Sequence, residues 1–207
     1  MFAIGHFGLG YLAGKASSRY LKTEINLPLL LTASILPDVD LVLRFLEHRG
    51  PTHSLITGTL IMVPFFLIYR KAAFPYFAAL LSHTLVGDLL TGGAKLFWPL
   101  SNSWFAAMNI DIITLTNVSM ELILFIISLA IMLKMGDLQS LLKPHNRSIG
   151  LIIPFAAVVL PILSSRAGEY GDFPALLIVP SLIYISIFSY AILVQLKKQQ
   201  VQTLKTS

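Results

Sequence analysis

The sequence predicts an all-α fold, a polytopic transmembrane helix bundle with about six or seven spans. Of its 207 residues, 56% are hydrophobic and only 12% are charged, and the mean hydropathy is +0.78. Soluble domains carry about twice that charged fraction, so a water-soluble fold of this composition would lack the polar surface to cover itself. Apolar stretches of roughly the length that crosses a bilayer recur along the chain, which favours a membrane domain.

Seven apolar stretches follow one another. The first is short and contains four glycines, which is typical of a helix packed closely against its neighbours. The stretches cover residues 2–16, 27–46, 54–69, 72–90, 118–135, 149–164 and 174–196, with a mixed segment at 91–117. No hydrophilic block is large enough to fold separately, so residues 1–196 are expected to form one transmembrane domain. The polar tail, residues 197–207, is expected to be disordered and cytoplasmic.

Lysine and arginine predict the orientation, because short cytoplasmic loops carry an excess of them. If the C-terminus lies in the cytoplasm, eleven of the 15 basic residues fall inside and four fall outside. The inside residues are Lys15, Arg19, Lys22, Arg70, Lys71, Lys134, Lys143, Arg147, Lys197, Lys198 and Lys205. The outside residues are Arg44, Arg49, Lys95 and Arg166. The prediction is a multi-pass cell-membrane protein with its N-terminus outside and its C-terminus in the cytoplasm.

Composition also restricts the partners and cofactors. The chain has no cysteine, which excludes disulfides and thiolate metal ligands. The net charge of +5 comes without a basic run or stripe, so we expect no nucleic-acid partner, and the surplus reports orientation instead. The expected partner is the lipid bilayer, and the sequence leaves the oligomeric state open.

Histidines and carboxylates gather on one side of this topology. The orientation was set by lysine and arginine alone, yet four of the five histidines and most of the intramembrane carboxylates fall near the outer face. They are His6, Asp38, Asp40, His48, His53, His83, Asp88 and Glu121. Ionisable groups at membrane depth are costly, and each is a functional hypothesis by default. A divalent metal would explain several at once; with no cysteine, zinc is the first expectation, and manganese and iron are alternatives.

The spacing of these residues raises two geometric questions. Asp38 and Asp40 cannot share one face of a regular helix, but Pro37 removes a backbone donor there, so a kink is expected to turn both inward. His83 and Asp88 are five residues apart, about 140° round an ideal helix. Either Gly87 marks a bulge that corrects this angle, or Thr84 is the residue aligned with Asp88.

Plainer interpretations stay open for each candidate. Asp38 can be a solvated helix end, and His53 can cap the helix that it begins. His6 can have an interfacial role near the terminus, and His48 can be a loop residue in water. Glu121 can be a first-turn acid favoured by the helix dipole.

Short motifs in the first hundred residues occur in an order that resembles a known family. They are Gly5-His6, Leu36-Pro37-Asp38-Val39-Asp40, His48-Arg49-Gly50-Pro51-Thr52-His53-Ser54-Leu55, Ser82-His83, Asp88-Leu89-Leu90-Thr91 and Trp98-Pro99-Leu100. The chain thereby resembles the YdjM-like (LexA-regulated) membrane-bound metal-dependent hydrolases. The second half matches only through Asn117 and Glu121. The family pattern has three residues between the histidine and aspartate of the fourth span, whereas four lie between His83 and Asp88 here.

The resemblance implies a helical core like that of zinc-dependent phospholipase C and hydrolysis of a phosphate ester. The leading hypothesis is a membrane-embedded metal-dependent hydrolase acting on a lipid or lipid-linked phosphate near the extracytoplasmic face. The metal ligands would be His6, Asp38, Asp40, His53, His83 and Asp88, within a metal-site half of about residues 1–121. Asp40 would also serve as general base, Arg49 would hold a phosphate oxygen, and Glu121 is a further catalytic candidate.

Two other functions fit the same residues. In an ion, metal or proton-coupled transporter they would bind a cation or relay protons. In a non-catalytic membrane scaffold the metal would be structural. The absence of visible inverted repeats weighs against the transporter.

Overall fold

The computed structural model describes residues 1–43, 45–166 and 173–206. Arg44, which was assigned to the outer side, lies outside the described residues. Within the described ranges the chain is helical, with two isolated antiparallel bridges, Thr91 to Asn109 and Ala94 to Phe105, in the segment between α4 and α5 defined below. The all-α prediction is confirmed.

The described residues form eight α-helices, several of them extended by 3-10 or π turns. They are α1 (Ala3–Leu21), α2 (Leu27–Ile35), α3 (Leu55–Tyr69), α4 (Phe74–Ser82), α5 (Leu115–Lys134), α6 (Asp137–Leu141), α7 (Ile152–Arg166) and α8 (Ile178–Thr206). The 3-10 segments are Leu36–Leu41, Pro51–His53, Arg70–Ala73, Asn146–Leu151 and Ala175–Leu177, and a π-helix runs over His83–Asp88.

Helix α1 is the centre of the bundle. It contacts α2, α4 and α5, and it buries Phe7 and Tyr11 completely. A side chain at Gly10 would overlap Ser34 of α2, and one at Gly8 would press on Leu124 of α5. The glycine-rich first stretch therefore packs closely against its neighbours, as the sequence predicted.

The outer faces of the helices remain strongly apolar. Leu67 on α3 is 77% exposed and Leu193 on α8 is 63% exposed, and many other large apolar side chains share this position. A soluble monomer rarely shows so much contiguous apolar surface, so these faces are suited to lipid.

Among the described residues, four helical stretches are long and apolar enough to cross a membrane. They are Leu55–Asp88, Leu115–Lys134, Asn146–Ser164 and Ala175–Leu204. The expected count of six or seven spans is not confirmed. Helix α2 has only nine residues, too few for a crossing by itself. Helices α3 and α4 fall into one stretch, although Arg70 between them has a φ of 49° and breaks the helical path.

The last helix differs from the expectation at its end. Helix α8 continues to Thr206, whereas the sequence suggested disorder from residue 197. Residues 181–206 contain no glycine or proline, and lysine, glutamine and leucine are good helix formers. The apolar span therefore nucleates a helix that its polar continuation extends.

Candidate metal centre

Three irregular segments bring four ligand atoms to one point. The 3-10 segments Leu36–Leu41 and Pro51–His53 supply Asp38 and His53, and the π-helix supplies His83 and Asp88. Nε2 of His53 lies 3.3 Å from Oδ1 of Asp38 and 3.5 Å from Oδ2 of Asp88. Nε2 of His83 lies 3.3 Å and 3.6 Å from the same two oxygens.

The spacing of the two imidazoles from each other and from the two carboxylates suits a shared cation. The two Nε2 atoms are themselves 3.3 Å apart. Ligands held about 2.0–2.2 Å from one zinc ion lie roughly 3.3–3.6 Å from one another, which is the range of the Nε2 to Nε2 separation and of the four Nε2 to carboxylate separations. Oδ2 of Asp88 is also buried with no hydrogen-bond partner in the described chain, an arrangement that a cation would relieve.

The π-helix resolves the spacing of His83 and Asp88. A π turn closes i to i+5 hydrogen bonds, so residues five apart lie on one face. His83 and Asp88 begin and end this segment, and their side chains meet. Of the two alternatives, the bulge is correct, and Gly87 lies inside it, where a Cβ would press on Nδ1 of His6.

The far sides of both imidazoles are held by acceptors. Nδ1 of His83 donates to the backbone oxygen of Ser34 at 2.8 Å. Nδ1 of His53 lies 3.2 Å from Oδ2 of Asp40. Such partners fix the tautomer and turn each Nε2 lone pair toward the metal position. No residue pattern indicates this role of Ser34, because its contribution is a backbone carbonyl.

Asp40 is engaged on the far side of His53 from the four-atom set. Its carboxylate accepts hydrogen bonds from His48 Nδ1 (3.0 Å), the backbone N–H of Arg49 (3.2 Å) and the Thr52 hydroxyl (2.7 Å). Asp38 and Asp40 do share one group with His48 and His53, whose ligand atoms all lie within 4.8 Å of one another, but the two aspartates contact different nitrogens of His53. Asp38 faces Nε2 of His53, and Asp40 faces Nδ1 of the same ring.

Electrostatics around His53 favour positive charge between the carboxylates. Burial alone would lower the pKa of His53, but Asp38 and Asp40 outweigh it and raise the pKa to about 9. A proton on Nε2 of His53 therefore stands where a cation would bind.

Arg49 lies beside the four-atom set, on the Asp88 side. Its Nε is 3.6 Å from Oδ1 of Asp88, and its guanidinium donates to the backbone oxygen (2.6 Å) and hydroxyl (3.3 Å) of Thr91. Its own φ is 60°, a conformation that non-glycine residues rarely adopt. The backbone and Thr91 together hold the guanidinium next to the site.

His6 and His48 border the centre on opposite sides. The buried His6 ring stacks on His83, with centroids 3.6 Å apart and planes inclined by 9°. His48 packs edge to face on His53, and its side chain is 44% exposed. The structure therefore brings His48, which the sequence left as a possible loop residue, into contact with Asp40.

Glu121 occupies a different position. Its carboxylate accepts hydrogen bonds from the backbone N–H groups of Phe2 (2.7 Å) and Gly5 (3.0 Å) and from Asn117 Nδ2 (2.7 Å). These contacts cap the first turn of α1, and Glu121 lies outside the three His/Asp clusters found among the described residues.

A large cavity opens beside the centre. Its volume is about 1070 Å³, and its lining includes the site side chains Asp38, His48, Arg49 and Asp88. Much of the remaining lining is apolar and comes from α7, with Ile152, Ile153, Ala156, Leu160 and Leu163. The polar centre and an apolar space therefore share one opening.

Comparison with known proteins assigns the chain to a membrane family. A family model described as YdjM inner membrane protein matches residues 1–169. Neither the curated proteins nor the solved structures yielded a match. The matched range covers more than half of the chain, so the chain belongs to this family, and the family description names a membrane location but no reaction.

Proposed function

We propose that this member of the YdjM inner membrane protein family is a metal-dependent hydrolase that cleaves a phosphate ester of a lipid or lipid-linked substrate. The observation that carries the proposal is the four-atom set, in which His53 and His83 each approach both Asp38 and Asp88, beside a large, partly apolar cavity. The set has the residue types and separations that suit a divalent ion. Zinc is the first expectation, with manganese or iron as alternatives.

A divalent ion held there would supply a Lewis acid that lowers the pKa of a coordinated water and withdraws charge from a phosphoryl oxygen. Asp38 is the ligand most open to the cavity, with 16% of its side chain exposed, so substrate would approach on its side. The remaining ligands are buried, which keeps the dielectric low around the developing charge.

Arg49 supplies the anion-binding group. Both of its terminal nitrogens donate hydrogen bonds to Thr91, while Nε is buried without a hydrogen-bond partner in the described chain. Guanidinium groups bind phosphate oxygens with several donors in one plane. A phosphate in the cavity would thus lie between Arg49 and the metal position.

His48 and Asp40 supply proton transfer. Because Asp40 is fully engaged in holding His53 and His48, it acts through these histidines rather than as a base or as a ligand. Nδ1 of His48 faces Asp40 and its ring borders the cavity, so Nε2 is the position from which a proton can reach the leaving oxygen. The buried Glu121 contributes by fixing the start of α1.

The size and lining of the cavity support an amphiphilic substrate. Pockets for drug-sized ligands measure roughly 300–1,000 Å³, so about 1070 Å³ far exceeds the needs of a phosphate group. The aliphatic wall of α7 would accept an alkyl chain while the phosphate reaches Arg49. A lipid whose chain stays in the bilayer meets both requirements.

The finer topology belongs to the same proposal. Helices α1, α2 with its 3-10 extension, α3, α4, α5, α7 and α8 correspond to the seven predicted stretches, which gives an outer N-terminus and a cytoplasmic C-terminus. The distribution of lysine and arginine supports this orientation, with the metal centre near the extracytoplasmic face. The likeness to a zinc-dependent phospholipase C core rests on the sequence motifs alone.

A scaffold with a structural metal is the second candidate. One observation favours it: four protein ligands would complete a tetrahedral zinc site, whereas catalytic zinc sites usually keep a position for water. Under this alternative, metal removal would unfold the protein, and no phosphoesterase activity would be found.

The test is hydrolysis by the purified protein in lipid vesicles, screened on soluble phosphodiesters, phosphomonoesters and phospholipids. Asp38→Asn and His53→Ala should each reduce kcat by at least about 100-fold, while the exposed loop variant Asp111→Asn should leave it unchanged. Activity should disappear with a chelator and return with zinc or manganese. Equal activity in all variants would overturn the mechanism, and a folded, metal-loaded protein without activity on any ester would favour the scaffold.

A further inference from the structure

We infer a second cation site beside the first, formed by His6 and Asp38, so that the centre holds two ions bridged by the Asp38 carboxylate. The inference rests on the proposed function only in taking His53, His83, Asp38 and Asp88 as the ligands of the first ion. His6 belongs to a separate group with Asp38 and His83, whose ligand atoms all lie within 4.8 Å of one another.

One ring nitrogen of His6 has no partner among the residues that the structure describes. Its side chain is buried (1% exposed), and its Nδ1 has no hydrogen-bond partner in the part of the chain that the structure describes. The ring projects from α1 into the space left free by Gly87 of the π-helix. A buried imidazole with an unpartnered nitrogen, and with a ligand atom within 4.8 Å of a carboxylate oxygen, is typical of a ligand and costly as a packing residue.

Stacking prevents His6 and His83 from serving the same ion. The lone pair of an imidazole nitrogen lies in the ring plane, and these two planes are nearly parallel with centroids 3.6 Å apart. Each ring therefore directs its lone pair to a different metal position, and the two positions are separated by about the distance between the rings. Paired metals in phosphate-ester hydrolases lie roughly 3.5–4 Å apart, which matches that spacing.

Asp38 is the group that both ions can share. It is the carboxylate common to the four-atom set and the His6 group, and because its Oδ1 lies against His53 and His83, its second oxygen is the one left for the second ion. His83 cannot contribute to the second ion, because its Nδ1 already donates to Ser34 and its Nε2 belongs to the first.

The second position would have more open coordination positions than the first. With His6 and one oxygen of Asp38 as its protein ligands, the second ion would keep several positions for water or a phosphate oxygen. Asp38 lines the cavity, so those positions would be supplied from the substrate side. The first ion, with four protein ligands, would position the bridge.

Metal stoichiometry tests this inference without relying on activity. The chelator-treated, refilled protein should bind two manganese ions per chain, and manganese electron paramagnetic resonance should show an exchange-coupled pair. His6→Leu should bind one ion and give an uncoupled spectrum. His145→Leu, which removes a histidine outside the three clusters, should still bind two.

The outcomes separate this inference from the proposed function. Saturation of the unaltered protein at one ion, or two coupled ions in His6→Leu, would overturn the second site whatever the activity. One ion together with phosphoesterase activity would leave the function standing. Two coupled ions without activity on any ester would support the second site and contradict the proposed function. The spectrum of the unaltered protein decides the question even if His6→Leu fails to fold.

Discussion

Replacing Asp40 by asparagine tests whether Asp40 is a metal ligand or a residue that orients a ligand. The sequence placed Asp40 among the ligands, whereas the structure places it behind His53, with Oδ2 3.2 Å from Nδ1 of that ring. Its other partners are His48, the Arg49 backbone and Thr52. Asparagine keeps the shape of the side chain and one acceptor oxygen, but it loses the charge and presents an N–H group where one carboxylate oxygen was.

The expected loss of metal affinity follows from those contacts. An asparagine with its oxygen in the place of Oδ2 still accepts from Thr52 and Arg49, so the loop should keep its conformation. The bond to His53 becomes that of a neutral acceptor, which holds the ring less firmly and makes Nε2 a weaker donor to a metal. Loss of such an outer partner typically costs 10–100-fold in metal affinity, or about 1.4–2.7 kcal/mol.

The assay is a zinc titration of the detergent-solubilised protein against a competing chelating dye. Asp40→Asn should weaken binding by about 10–100-fold, Asp38→Asn should weaken it much more, and Asp111→Asn should not change it. Thermal unfolding of the metal-free forms serves as the control for folding. If Asp40→Asn lost as much affinity as Asp38→Asn, Asp40 would be a direct ligand, as the sequence suggested. An affinity within twofold of the unaltered protein would remove the orienting role.

Three further predictions concern other parts of the molecule. Glu121→Gln should lower the melting temperature, because the carboxylate caps α1, yet leave the number of bound metal ions unchanged; a lost ion would place Glu121 in the centre. In the metal-free protein the pKa of His53 is raised to about 9, so its bound proton stabilises the fold. This contribution is complete below the pKa of about 6.5 that histidine has in the unfolded chain, and it is lost as the pH rises through 9. Metal must displace that proton, so log affinity should rise by about one per pH unit between pH 6 and 8, measured by dye competition, and a flat profile would contradict the assignment. In this cysteine-free chain, a cysteine introduced at the exposed Asn102 should react with a membrane-impermeant thiol reagent added outside cells, and one at Gln200 only after lysis; the opposite pattern would invert the topology.

Residue chemistry was predictable from the sequence, and residue geometry was only partly so. The rarity of ionisable groups in an apolar chain drew attention to Asp38, His53, His83 and Asp88, and in the structure each of these two histidines approaches both of these aspartates. The sequence could not show that Asp38 faces the metal position and that Asp40 orients a ligand, because these two residues differ only by the side of His53 that they face. That difference depends on the path of the 3-10 segment after Pro37.

The number of spans was harder to predict because hydropathy measures composition and not helix continuity. Residues 27–46 are apolar throughout much of their length, yet α2 ends at Ile35 and is followed by a 3-10 segment. The position of Glu121 was missed for a related reason. Its partners are backbone N–H groups at the start of α1, and no side-chain pattern indicates backbone donors.

The irregular backbone at the centre is a requirement of the ligand set. Regular α-helices align residues three or four apart, so they cannot place His83 and Asp88 at one point. The π-helix does so, and the 3-10 segment directs Asp38 and Asp40 to opposite sides of one imidazole. In a membrane protein, such departures are tolerated only where the backbone is buried in protein or lines a cavity, and this centre meets both conditions. The breaks in α2 and α4 therefore belong to the site itself, and changes that restored regular helix there would disperse the ligands without altering any of them.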